Sequence, residues 1–307
     1  MVINNKKSFI FNQILFLSSC MIGGTTYAFQ KIGLTNSLPF WSAAMRFLIA
    51  GIIFLCLCVR KRLVLNADTV YTAIMYGILY YAIPFGALYW VGQYLPSGLL
   101  SVLSASVPIF VLIFNALLQG NKTTKFQVGG VIISMLGILV IFSHALFFSI
   151  NVNTILYMGI AIVAYIGAAF ATAMLKQRIA VVDHISFMSI SLIIGGVILA
   201  LSSFIFETGV RAFSGISLKS LLYLAIFGSV VAVYINTYLT AKWHIAKVSA
   251  SRFVSPTISL YIGFVFLGEK LSINDYVGTG FIFVGLLLIN YKRQIASVSN
   301  EADSIRD

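Results

Sequence analysis

Ten stretches of mostly apolar residues, each close to the length that carries a helix across a bilayer, fill almost the whole of this chain. They fall near residues 9–29, 39–58, 70–90, 97–118, 126–145, 154–175, 185–206, 218–240, 247–267 and 275–291. A helix needs about 20 apolar residues to cross the hydrocarbon core. Of 307 residues, 60% are hydrophobic and 9% charged, with a mean hydropathy of +1.00. A soluble domain carries about a quarter charged residues to wet its surface. This chain cannot cover a globule with polar groups, so its solvent must be lipid. The expected fold is therefore an all-α integral membrane protein of ten transmembrane helices. Short connectors imply antiparallel neighbours without an inserted soluble domain. Only residues 294–307 are polar enough to form a disordered tail, expected on the cytoplasmic side.

The net charge of +12 does not point to nucleic acid. Lys and Arg stand in ones, twos and threes at the ends of the apolar runs, which is a topology pattern. With the N-terminus inside, fourteen of them fall on the inner side, including Lys6, Lys7, Arg60, Lys61, Arg62, Lys176 and Arg178. Four fall outside: Lys31, Arg211, Lys219 and Lys270. Arg46 and Arg252 lie within spans. The bias places both termini in the cytoplasm. Lys6-Lys7 followed by an apolar run to about Phe29 resembles the start of a signal peptide, but its length reads as an uncleaved first span. Cys20, Cys56 and Cys58 sit inside apolar runs and read as small buried hydrophobes.

The chain also repeats itself. At a constant offset of 148 residues, Ser101 pairs with Ser249, Pro108 with Pro256, Gly120 with Gly268, Lys122 with Lys270, Gly130 with Gly278 and Gly137 with Gly285. Two five-helix units follow, residues 1–148 and 149–293. Five is odd, so the second unit enters the membrane upside down. Inverted repeats give two conformations of similar energy, one open to each side, which is the signature of alternating access. Pro108 and Pro256 each remove a backbone donor and should kink the fourth and ninth spans near mid-membrane, as helix-kink or gating positions. Glu269 and Asp275 mark the membrane–water boundary of the second copy.

Three segments resemble the EamA family of the drug/metabolite transporter superfamily: "PFWSAAMRFLIAG" (39–51), "YLPSGLLSVLSASVPIFVLIFNALL" (94–118) and "IAKVSASRFVSPTISLYIGFVFLGEKLS" (245–272). The resemblance covers nearly the whole chain. It implies two inverted five-helix repeats and export of small metabolites, often amino acids. Its motif residues correspond to Arg46, Pro108, Pro256 and the Gly268-Glu269 hairpin. Many members place a glutamate directly before the second proline; here that residue is Ser255.

A charge inside a span costs about 2.5–3.5 kcal/mol on insertion scales, so each needs a reason. Arg252 lies four residues before Pro256, on the same helical face. Its guanidinium could grip the carboxylate of a solute in bidentate form, or snorkel to the interface. Arg46 could contact cargo, or instead hold helix-end carbonyls or gate. Ser104, the repeat mate of Arg252, and Ser255 join the candidate set. So do the deep polar groups Tyr80, Tyr81, Tyr234 and Asn236, whereas Tyr89, Trp90 and Tyr94 read as an interfacial belt. Ala161, Ala164, Ala168 and Thr172 read as helix-packing residues.

No carboxylate falls near the middle of any span, which disfavours exchange of lipophilic cations for protons. No nucleophile motif, metal-binding helix or phosphate loop is present, so neither catalysis nor a cofactor is expected. The cargo expected is a zwitterionic or anionic small molecule, the surroundings are membrane lipid, and a homo-oligomer is compatible with the sequence. A lipid-linked carrier flippase and an intramembrane enzyme are the competing readings.

Overall fold

The computed structural model describes residues 2–61, 64–120, 124–141, 143, 152–258 and 272–303. Every regular element among them is helical. Seven helical stretches are long and apolar enough to cross a membrane: Phe9–Asn36, Pro39–Cys58, Ala67–Val91, Leu99–Leu118, Val152–Arg178, His184–Phe206 and Gly215–Lys242. They coincide with the first to fourth and sixth to eighth expected spans. The fifth and tenth occur as shorter apolar helices, Lys125–Ile141 and Tyr276–Ile289. Of the ninth, the described part comprises Ile245–Ser249 and helical residues 251–258. Lys122 and the Gly268-Glu269-Lys270 hairpin lie outside the described residues.

The packing is that of a protein dissolved in lipid. Leu117, Ile205 and Leu287 are about three-quarters exposed, at 74%, 73% and 73%. The seventh span instead buries Ser186, Ser189, Ser191 and Ser203 completely. Small polar residues at helix contacts allow close approach where no hydrophobic force drives association. Apart from Arg46 and Arg252, the described charges gather toward helix ends and connectors. The Asp183 carboxylate caps the seventh span by accepting from Ser186 N at 2.9 Å. Glu207, at the far end of the same helix, accepts from the amides of Phe40 and Trp41 at 2.7 and 3.2 Å, capping the second span from a neighbour. Both satisfy helix-start amides that would otherwise lack partners.

Two lysines, 145 residues apart, reach carbonyls related by the 148-residue offset. Lys31 Nζ, at the end of the first span, donates to the carbonyls of Gly92, Gln93 and Leu95 at 2.9, 2.9 and 3.3 Å. Lys176 Nζ, at the end of the sixth, donates to those of Thr240 and Trp243 at 2.6 and 2.9 Å. Thr240 and Trp243 are the repeat mates of Gly92 and Leu95. In each half, then, a lysine caps the carbonyl end of the helix two spans on, where a cation is favoured.

The fifth and tenth helices meet through a reciprocal contact. A methyl group on Gly130 would lie 2.5 Å from the carbonyl oxygen of Gly285, and one on Gly137 would lie 2.5 Å from that of Gly278. Gly278 and Gly285 are the mates of Gly130 and Gly137, and Ser134 Oγ donates at 3.4 Å to the carbonyl of its own mate position, Ile282. Residue i meets the mate of j, and j the mate of i, as across a two-fold axis. The order of the contacts makes the two helices antiparallel.

Two departures from the expected helices bear on function. The fourth span is broken, not kinked: Ser97–Ser104 and Val107–Gln119 are separate helices. Pro108 sits in the first turn of the second piece, where its missing N–H leaves no bond unmade. In the ninth span the interruption is at Ala250, six residues before Pro256. The two prolines therefore differ in local role despite their equivalent positions. The third and eighth spans each contain a π-helical turn, Gly77–Ala82 and Ile226–Val231. One extra residue in a turn leaves composition and hydropathy unchanged, so the sequence carried no sign of it.

Candidate functional site

The π turn of the third span presents Tyr80 and Tyr81 to the middle of the bundle, where Tyr81 packs its Cβ against Gly195 of the seventh span. Around these tyrosines lies a cavity of about 110 Å³. A second cavity, of about 80 Å³, lies toward Thr172, Leu175 and Thr240. Tyr80, Tyr81, Val233, Asn236, Ser251 and Arg252 line both, so they form the wall between them.

Of the residues singled out in the sequence, Arg46, Arg252, Tyr80, Tyr81, Ser104, Asn236 and Ser255 are brought together on the first cavity. Tyr234 is not. It is 48% exposed and lines a shallow groove with Asp183, His184 and Tyr238 on the periphery. Neither Pro108 nor Pro256 lines the cavities.

The two arginines differ sharply. Arg46 is 2% exposed and makes three hydrogen bonds, all to neutral partners. Its Nε donates to Ser229 Oγ at 2.8 Å, Nη1 to Tyr89 Oη at 3.2 Å and Nη2 to the Gly228 carbonyl at 2.9 Å. The rings of Phe47 and Phe85 lie 5.3 and 5.5 Å from its Cζ, within cation–π reach. Tyr89, read from sequence as interfacial, is 1% exposed and belongs to this arginine's shell. Arg252 makes one hydrogen bond among the described residues, from Nη2 to Tyr80 Oη at 3.1 Å. A guanidinium has five N–H donors. Four are left for water or a ligand, on a side chain that opens into both cavities.

The hydroxyls are partly committed. Ser255 Oγ is shared between the carbonyls of Ser251 and Cys20, at 2.9 and 3.2 Å, and so ties the ninth span to the first. Ser104 Oγ donates to Ser101 O at 2.6 Å. Asn236 Oδ1 accepts from Ser19 Oγ at 3.2 Å.

The sequence reading missed the first span's contribution. Ser19, Gly23, Thr26, Tyr27 and Gln30 all line the first cavity. Their spacing is that of one helical face, so a polar stripe in an otherwise apolar helix was the available signal. Tyr165 of the sixth span was also missed; its hydroxyl donates to Leu100 O at 2.9 Å and lies 3.2 Å from that of Tyr27.

No carboxylate appears among the described residues lining either cavity. No group of three or more His, Cys, Asp or Glu comes together among the described residues to hold a metal ion. The site can bind and orient an anion or dipole.

Residues 11–143 and again 155–291 match the profile of the EamA-like transporter family. The chain belongs to that family. Among relatives of this EamA-like transporter is the uncharacterized inner membrane transporter YedA of Escherichia coli, 28% identical over 272 residues, covering 88% of this chain and 87% of the relative. An uncharacterized transporter of Clostridium kluyveri is 29% identical over 297 residues, covering 93% of each. One solved crystal structure superposes with a TM-score of 0.77 over 92% of this chain and 98% of the other, at 15% identity, which is a likeness of fold alone. The EamA-like chain is accordingly a multi-pass membrane transporter.

Proposed function

We propose that this chain exports a small zwitterionic or anionic metabolite, such as an amino acid, across the cytoplasmic membrane of a prokaryotic cell by alternating access. The observation that carries the reading is a cavity with two guanidinium groups and no carboxylate among its described lining residues. Buried charge without a counter-ion is costly, and Arg46 and Arg252 have only neutral hydrogen-bond partners among the described residues. A carboxylate or phosphate on the cargo supplies the missing counter-charge, most readily at Arg252, which has donors to spare. A cationic cargo would meet like charge from both arginines. The antiparallel, reciprocal contact of the fifth and tenth helices supports an inverted arrangement of the two halves, and hence a cavity that opens to each side in turn.

The test is a metabolite panel of cells with and without the gene, followed by proteoliposome efflux of whichever solutes differ. Carboxylate- or phosphate-bearing solutes should accumulate when the gene is absent, and Arg252→Ala should reduce efflux about 100-fold or more, as expected for losing a charge-assisted bidentate contact. Identical profiles, or efflux confined to cations or to lipid-linked sugars, would reject the reading.

A further inference from the structure

The two π turns and the two intramembrane arginines belong together. At the 148-residue offset Tyr80 of the turn Gly77–Ala82 maps onto Gly228 of the turn Ile226–Val231, and Tyr81 onto Ser229. An arginine from the opposite half reaches each turn at these equivalent residues. Arg46, from the first half, holds the Gly228 carbonyl and the Ser229 hydroxyl. Arg252, from the second half, holds the Tyr80 hydroxyl. The halves are cross-braced, each by its own guanidinium on the other's π turn.

A π turn holds one residue more than the α-helical ladder accommodates. Expelling that residue rotates everything beyond it by about 100°, the angle per residue of an α-helix. Such a turn is a two-state element, and a guanidinium bound to it biases the choice. The two braces are unequal. Arg46 makes three hydrogen bonds, has the rings of Phe47 and Phe85 within cation–π reach and is buried. Arg252 makes one among the described residues, and its contact with Tyr80 forms part of the wall between the two cavities.

The geometry points to the Arg252–Tyr80 contact as the releasable latch of the transport cycle and to the Arg46–Gly228–Ser229 contact as the fixed one. Tyr80 is then a positioning residue: it holds the Arg252 fork while the site is empty and separates the cavities. An entering carboxylate competes with its hydroxyl for the same guanidinium, and winning that competition joins the cavities. The carboxylate as trigger rests on the export reading above; the latch itself needs no cargo.

The latch is therefore tested without one. In full-length protein carrying Cys20→Ser, Cys56→Ser and Cys58→Ser, single substitutions Thr26→Cys (first cavity) and Thr172→Cys (second cavity) are labelled in proteoliposomes with a membrane-impermeant methanethiosulfonate. Each position should react from one side only. Adding Tyr80→Phe, which keeps the ring and removes the hydroxyl, should let reagent from a single side reach both, with labelling at the formerly protected position rising roughly tenfold, the effect of one hydrogen bond to a charged group. Arg252→Met, which breaks the contact from its other end, should do the same. Ser229→Ala, which leaves Arg46 two of its three bonds, should preserve sidedness. Labelling of both positions from one side in the parent, unchanged sidedness in Tyr80→Phe or in Arg252→Met, or loss of it in Ser229→Ala would each overturn the assignment. A negative labelling result leaves the cargo class standing, and a negative metabolite panel leaves the latch standing.

Discussion

Arg46 shows what a buried charge does when it is not bound to cargo. Its three donated bonds end on a π-turn carbonyl and two hydroxyls from three different positions of the bundle. Arg46→Ala should therefore lower the stability of the purified protein by about 2 kcal/mol or more, read as a fall in the thermal unfolding midpoint in detergent. Arg46→Lys should recover part of the loss, because a point charge cannot reproduce the three-way fork. An unchanged midpoint in Arg46→Ala would mean that these bonds exchange freely with water. Both arginines were legible in the sequence, since a charge inside an apolar run stands out. Their division of labour was not, because it depends on which neighbours fold against each. The same limit applies to Tyr234 and Tyr80: both are deep tyrosines in sequence, yet one faces outward and the other the cavity. That difference is one of rotation about the helix axis, further altered by the π turns.

At the scale of elements, adjacent glycines of the fifth helix make a sharp comparison. A methyl group at Gly130 would press on the backbone of the tenth helix, whereas one at Gly129 would meet nothing within 4 Å. Gly130→Ala should destabilise by about 1–3 kcal/mol through overpacking. Gly129→Ala should be neutral or stabilise by up to about 1 kcal/mol through helix propensity. Thermal unfolding of the pair decides it, and equal effects would argue against the reciprocal contact. The spans were legible as elements because an apolar run of bilayer length has few other uses. Their interruptions were not all legible. The break at Ala105–Ser106 was announced by Pro108, though as a kink. The π turns had no compositional mark, and the lysine clamps looked like ordinary interfacial charge until Lys31 and Lys176 were seen on equivalent carbonyls.

For the whole molecule, the charge bias makes a claim about sidedness. In the cysteine-free background, Leu65→Cys and Val210→Cys, at positions 61% and 84% exposed, should label from opposite sides of intact cells. Leu65→Cys should react only from the cytoplasm, and Val210→Cys only from outside. Reaction of both from one side would overturn the orientation. The lipid solvent, the helical class, the repeat and the family were all legible in the sequence, because each depends on composition, run length or a constant offset and none on distance between residues. The folded bundle alone shows which polar groups share a cavity, which arginine is held by three bonds and which by one, and that each half's arginine grips the other half's π turn. Those facts depend on helix rotation and on contacts across about 150 to 200 residues of chain, and a one-dimensional pattern holds no information on rotation once both faces of a helix are apolar.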